Sequence, residues 1–146
     1  MIDGNDLFYV CSLIEYIGRE RKLRRADVVA GLGEETIRRI YRYAGTFHCE
    51  QIAKVADDFI ALRSLPMGDF DNVGSCRYTV PSYWDIGAVY ARLIEDVTNG
   101  DDPVPTLLEV YASWMSDALS RFNSDLFYQS RDYIAECYRA GEILVA

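Results

Sequence analysis

The sequence predicts an all-α protein, a compact bundle of six to seven helices with one long loop at about 64–82. Three observations carry that prediction. Apolar residues recur at i, i+3, i+4 and i+7 in segment after segment. Turn and cap residues fall between those segments. No alternating, β-branched run of convincing length occurs anywhere in the 146 residues. A chain of this length suits one core, so a single domain over 1–146 is expected, with 1–63 and 83–146 as candidate subdomains.

Leu7, Val10, Cys11, Ile14 and Ile17 define the first helix, from about Asp6 to Lys22. Ser12, Glu15 and Arg19 form its expected wet side, with Glu15 and Arg19 in the favourable i,i+4 order. A short helix follows at Ala26–Leu32, and Gly33 is placed to end it. Glu34–Tyr43 is the next helix, and Gly45 is expected to break the chain. Ile52, Val55, Ala56, Phe59 and Ile60 mark a helix from about Phe47 to Arg63.

Ser64 to Ser82 is irregular, with prolines, glycines and short polar residues that favour turns. Ser82-Tyr83-Trp84-Asp85 then reads as an N-cap with an acidic third residue. Ile86, Val89, Tyr90, Leu93, Ile94 and Val97 follow as the strongest periodic run, ended by Asn99-Gly100. Pro105 suits a first helical position. Leu108 to Phe122 reads as one apolar stripe. Ser130 caps a last short helix that Gly141 ends.

Composition narrows the function classes. The formal net charge is −8, with eleven Tyr, six Phe and two Trp. Such a balance opposes general binding to the phosphate backbone of nucleic acid. The charge is uneven: residues 1–56 hold nine Lys or Arg against eight acids, whereas 57–146 hold six against fifteen. The acidic second part favours a basic partner surface. No apolar run reaches the length of a membrane span. The opening Met1–Asp6 is acidic where an export signal is basic, so the expected location is the cytoplasm with reduced thiols.

Few residues form chemical constellations. His48-Cys49 is the one meeting of catalytic-grade groups, but neighbours on a helix point about 100° apart, which opposes a nucleophile–base contact. His48 is expected to cap the following helix or to pack on Phe47. One His and no close Cys pair make a metal site unexpected, and no cofactor motif is present: Gly31-Leu32-Gly33 lacks the context of a phosphate loop.

Two sets remain. Arg38, Arg39 and Arg42 share a stripe with Glu35 behind a Gly33 turn, resembling the second helix of a helix-turn-helix. Glu34 and Arg39 stand where such motifs bury apolar residues, which weakens the match. Tyr83 and Trp84 place two large rings in the first turn of a helix beside the longest loop. They serve either as binding anchors or, for Trp84, as a cover over the core beneath the loop.

The aromatic-rich Leu7–Tyr16 with its Ile14-Glu15, the paired valines of Asp27-Val28-Val29, Tyr43, the triplet Phe47-His48-Cys49 and the apolar Ile52–Ile60 together resemble a bacterial helical domain family from anaerobic Gram-positive lineages. Cys49 departs from the threonine common there. Val80–Gly87 and Phe122-Asn123-Ser124 resemble longer members. Such proteins are often encoded beside ADP-ribosyltransferase-like proteins. The resemblance implies an antitoxin or immunity-type partner role, by analogy rather than mechanism. The expectation is therefore a non-enzymatic protein-interaction module, inhibitory or antitoxin-like, whose partner is another protein; self-association stays open. The alternative is a DNA-binding regulator using the helix at 34–43.

Overall fold

The computed structural model describes residues 1–145, and it is all-helical. Eight α-helices occur among the described residues: α1 (Gly4–Arg21), α2 (Arg25–Arg42), α3 (Ala44–Phe47), α4 (Ile52–Arg63), α5 (Tyr83–Val97), α6 (Val104–Ala112), α7 (Trp114–Leu119) and α8 (Arg131–Ala140). A 3-10 turn at Leu126–Tyr128 precedes α8.

The central element is α1. It packs on α2, α3, α4 and most extensively on α5. Its apolar stripe is buried, as the periodicity requires, but so is the flank expected to be wet: Ser12 and Glu15 are 0% and 1% exposed. The cause is the close approach of α5. A Cβ on Gly87 would fall 2.1 Å from Ser12 Oγ and 2.8 Å from Ser12 Cα, so only glycine lets the two backbones meet there.

Local chemistry sets several helix ends. Asp3 caps α1, accepting from the amides of Asn5 and Asp6. Ser82 and Asp85 form a reciprocal capping box at the start of α5. Ser130 caps α8, and Gly141 ends it at φ 77°. The two helices expected on either side of Gly33 run on as α2, with a break where Gly33 takes φ 81°, ψ 162°.

Three boundaries differ from expectation. Gly45 lies inside the one-turn α3 instead of breaking the chain, and α4 begins at Ile52, not near Phe47. The stripe from Leu108 to Phe122 is divided between α6 and α7. Ser113 is extended there, its hydroxyl donating to Val110 O (2.6 Å) and accepting from Met115 N (3.2 Å). That hydroxyl supplies a helix stop and a new N-cap at once, so a continuous apolar pattern spans two helices.

The long loop is irregular but pinned. Arg21 donates to Leu65 O (2.9 Å) and Arg19 to Pro81 O (2.8 Å). The amides of Gly68 and Phe70 donate back to the carbonyls of Arg21 and Lys22. Asn72 enters the core, accepting from Arg25 (3.1 Å) and donating to Ser120 O (2.9 Å). Farther on, Asn123 accepts from Arg77 N and donates to Ser75 O.

Beneath the loop lies a buried ion pair. The Arg25 side chain, 0% exposed, donates two bonds to Glu15, at 2.9 and 2.8 Å. Arg19 adds a third at 2.8 Å. Gly18 makes room, because a Cβ there would lie 2.4 Å from Arg25 Cδ. Burial works against the Glu15 charge, but Arg25 and Arg19 more than offset it, and its pKa lies below the ordinary carboxylate value.

Candidate interaction surface

The fold brings three of the sequence-selected residues together. Tyr83 and Trp84, in the first turn of α5, are half-buried. The Trp84 ring packs on Phe8 of α1 (centroids 5.5 Å) and stacks on His48 (5.9 Å, 21° between planes). Tyr83 touches Trp84 at 4.9 Å and meets Tyr16 of α1 edge to face at 5.1 Å. His48 also packs on Tyr9, at 5.2 Å. The result is one band of rings, running from Tyr16 through Tyr83 and Trp84 to Phe8, His48 and Tyr9.

Each ring is held for a local reason. The capping box fixes the first turn of α5 and so aims Tyr83 and Trp84. Phe8 and Tyr16 stand two turns apart on α1, on either side of Ser12, whose contact with Gly87 sets how closely α5 approaches. His48 does not cap α4: it ends α3, exposed at its edge, with its ring laid between Tyr9 and Trp84. Its neighbour Cys49 directs its sulfur to Gly45 O (3.5 Å). The two adjacent groups are thus engaged in different contacts.

Carboxylates stand at both ends of the band. Tyr9 is buried, and desolvation with the nearby Glu50 carboxylate pushes its hydroxyl up to about 12. Burial, then Glu20, Tyr83 and Asp57, raises the Tyr16 hydroxyl. By position, Glu50 follows His48 by two residues, while Glu20 stands one turn beyond Tyr16 on α1 and Asp57 lies on α4, which packs on α1.

Arg38, Arg39 and Arg42 lie elsewhere, on the second half of α2. Arg38 is held by Glu34 (2.9 Å) and Asp102 (3.0 Å); Arg39 and Arg42 are exposed. The other basic residues of 19–25 are largely occupied within the protein. Arg19, Arg21 and Arg25 hold the loop and Glu15, and Arg24 pairs with Asp117 through bonds of 3.1 and 2.7 Å.

A hollow of about 830 Å³ opens beside the loop, with Arg24, Asp71, Arg121 and Phe122 in its walls. Its inner polar groups, Asn72 and Asn123, are already hydrogen-bonded as described. Among the described residues, no three His, Cys, Asp or Glu side chains come together as a metal site would require. No described helix is long and apolar enough to cross a membrane. All four cysteines are free, with Cys11 and Cys137 buried.

Sequence reasoning missed Phe8, Tyr9 and Tyr16 as members of the surface. The available signal was position: Phe8 and Tyr16 sit off the apolar stripe of α1, flanking the face assigned to water. Large rings on such a flank have to be covered by another element or used at a surface. No protein-family profile, curated protein or solved structure matches the chain.

Proposed function

We propose that this protein is a non-enzymatic interaction module, inhibitory or immunity-like in character, that docks on another protein through the ring band. One observation carries the reading: Phe8 and Tyr16 of α1, His48 at the end of α3, and Tyr83 and Trp84 at the start of α5 converge into one continuous, partly exposed band, with Tyr9 buried beneath it. Aromatic residues that are packed at the base and open at the edge are the commonest anchors of protein interfaces. The family resemblance makes an ADP-ribosyltransferase-like gene neighbour the first partner to test. The engagement of Arg38 by Glu34 and Asp102 counts against the DNA-binding alternative.

The test is co-purification with that neighbour, alongside thermal unfolding, for Trp84→Ala and Trp84→Leu. Truncation to Ala is expected to weaken the complex by about 2 kcal/mol, roughly thirtyfold, while the domain stays folded. Trp84→Leu keeps apolar cover over Phe8 and separates loss of the anchor from loss of packing. A complex unaffected by both variants removes the band from the interface. Unfolding by both, with no partner recovered by the parent protein, assigns Trp84 to the core and ends the reading.

A further inference from the structure

We infer that the ring band is a receptor for cationic side chains: the partner segment carries two arginine or lysine residues, one received at each acidic end. This rests on the docking reading above and names the chemistry of what docks.

The first argument is the match between rings and acids. Aromatic faces attract ammonium and guanidinium groups, more strongly when the site is partly desolvated. Here the rings of Tyr16, Tyr83, Trp84 and His48 are continuous, with spacings of 5.1, 4.9 and 5.9 Å. At the Tyr16 end, neither Glu20 nor Asp57 makes an ion pair among the described residues. At the other end, one cation serves two acids: Lys54 bridges Glu50 and Asp58, each at 3.1 Å. Those three side chains together carry one net negative charge. Tyr9 lies buried beneath that end, supporting His48 from below.

The second argument is where the chain's own cations go. Arg19, nearest the band in sequence, is turned to Glu15 and Pro81 O and lies over the Phe122 ring at 5.1 Å. Arg25 lies over Phe70 at 5.8 Å. Both cation–ring contacts fall outside the band. A surface with rings and carboxylates, but no internal cation over the rings, is complementary to a basic segment and repels an acidic one.

The experiment uses the whole chain and a defined probe, a flexible Gly/Ser peptide bearing two arginines, with the same peptide bearing two citrullines as the neutral control. The Trp84 indole N–H resonance reports binding. The arginine peptide is expected to shift it saturably, more weakly as salt rises, and the citrulline peptide is expected not to. Glu20→Gln with Asp57→Asn should weaken binding about tenfold, and Glu50→Gln should weaken it separately, with melting temperatures unchanged. No saturable shift, or equal binding of the two peptides, overturns the inference. A protein complex that depends on Trp84 but ignores Glu20→Gln/Asp57→Asn also overturns it and leaves the docking reading intact. Cation binding at the band, with no protein complex that depends on Trp84, does the reverse.

Discussion

Two regions of this protein carry dense sequence signals, and they use them in opposite directions. The corner where α1 meets α2 holds five basic residues between Arg19 and Arg25, and four of these, all but Lys22, are drawn into close internal bonds. The ring band, built partly on the same central helix, leaves its rings partly open, all but the buried Tyr9. Charge density alone therefore points to a corner whose arginines are already engaged. A guanidinium has five donors in a fixed fork, so a basic cluster beside an irregular loop finds enough carbonyls and carboxylates to be consumed. Rings lack that outlet: their apolar area is either covered by the fold or left for a partner.

The largest expected effect breaks the corner. Arg25→Met removes one partner of a fully buried pair and leaves Glu15 charged beneath the loop. The expected loss is about 3–5 kcal/mol by denaturant unfolding. The double variant Arg25→Met/Glu15→Gln, with no buried charge left uncompensated, should recover much of that loss. A single variant that costs no more than an exposed arginine would mean that the corner is a surface after all.

The same pair makes a pH prediction. The folded pKa of Glu15 is depressed below its unfolded value, near 4.3 for a free glutamate. Its contribution to stability is therefore complete above that value and is lost as pH falls through the folded pKa. The stability difference between the parent and Glu15→Gln should be constant near neutrality and shrink below about pH 4. A difference that stays flat into acid would show that Glu15 is not held as a carboxylate.

A smaller effect sharpens the link between the regions. Ser12 stands between Phe8 and Tyr16, and Gly87 presses on it. Gly87→Ala has to push α5 away from α1, at an expected cost of about 1–3 kcal/mol. It should also disturb the contacts of Tyr83 and Trp84 with α1, read as a changed Trp84 indole environment. Destabilisation without any change at Trp84 would separate the band from the helix pairing that we hold responsible for it.

How much of this was legible in the sequence follows the range of each interaction. The all-helical class and several helix ends were readable because caps are local: Ser82 with Asp85, Ser130, and Gly141 each act within one turn. Ser113 was not, since its hydroxyl interrupts an apolar run that stays periodic across it. Glu15 was assigned to water for a similar reason. Its i,i+4 pairing with Arg19 is visible in the sequence and real, but the pairing with Arg25 that permits burial forms between two helices. Of the band, Tyr83 and Trp84 stood out as two rings at a capped helix start. Their convergence with Phe8, Tyr16 and His48 comes from the α1–α5 crossing, and a tertiary crossing has no one-dimensional signature beyond the glycine that allows it.

The smallest expected effect concerns Arg39 and Arg42, and it bears on the comparison from outside both regions. These two are exposed on the second half of α2, beyond the break at Gly33, where a helix-turn-helix would present its reading face. Beside them, Arg38 is committed to Glu34 and Asp102. A duplex would have to compete with both carboxylates for that guanidinium and approach a chain of net charge −8. Arg39→Ala/Arg42→Ala is therefore expected to leave the melting temperature and partner co-purification unchanged, and the parent protein should not retard duplex DNA at physiological salt. Retardation that falls steeply with salt, and disappears in Arg38→Glu, would place an open basic surface on α2. The contrast would then no longer lie between consumed arginines and open rings, but between two open surfaces of opposite charge on one small fold.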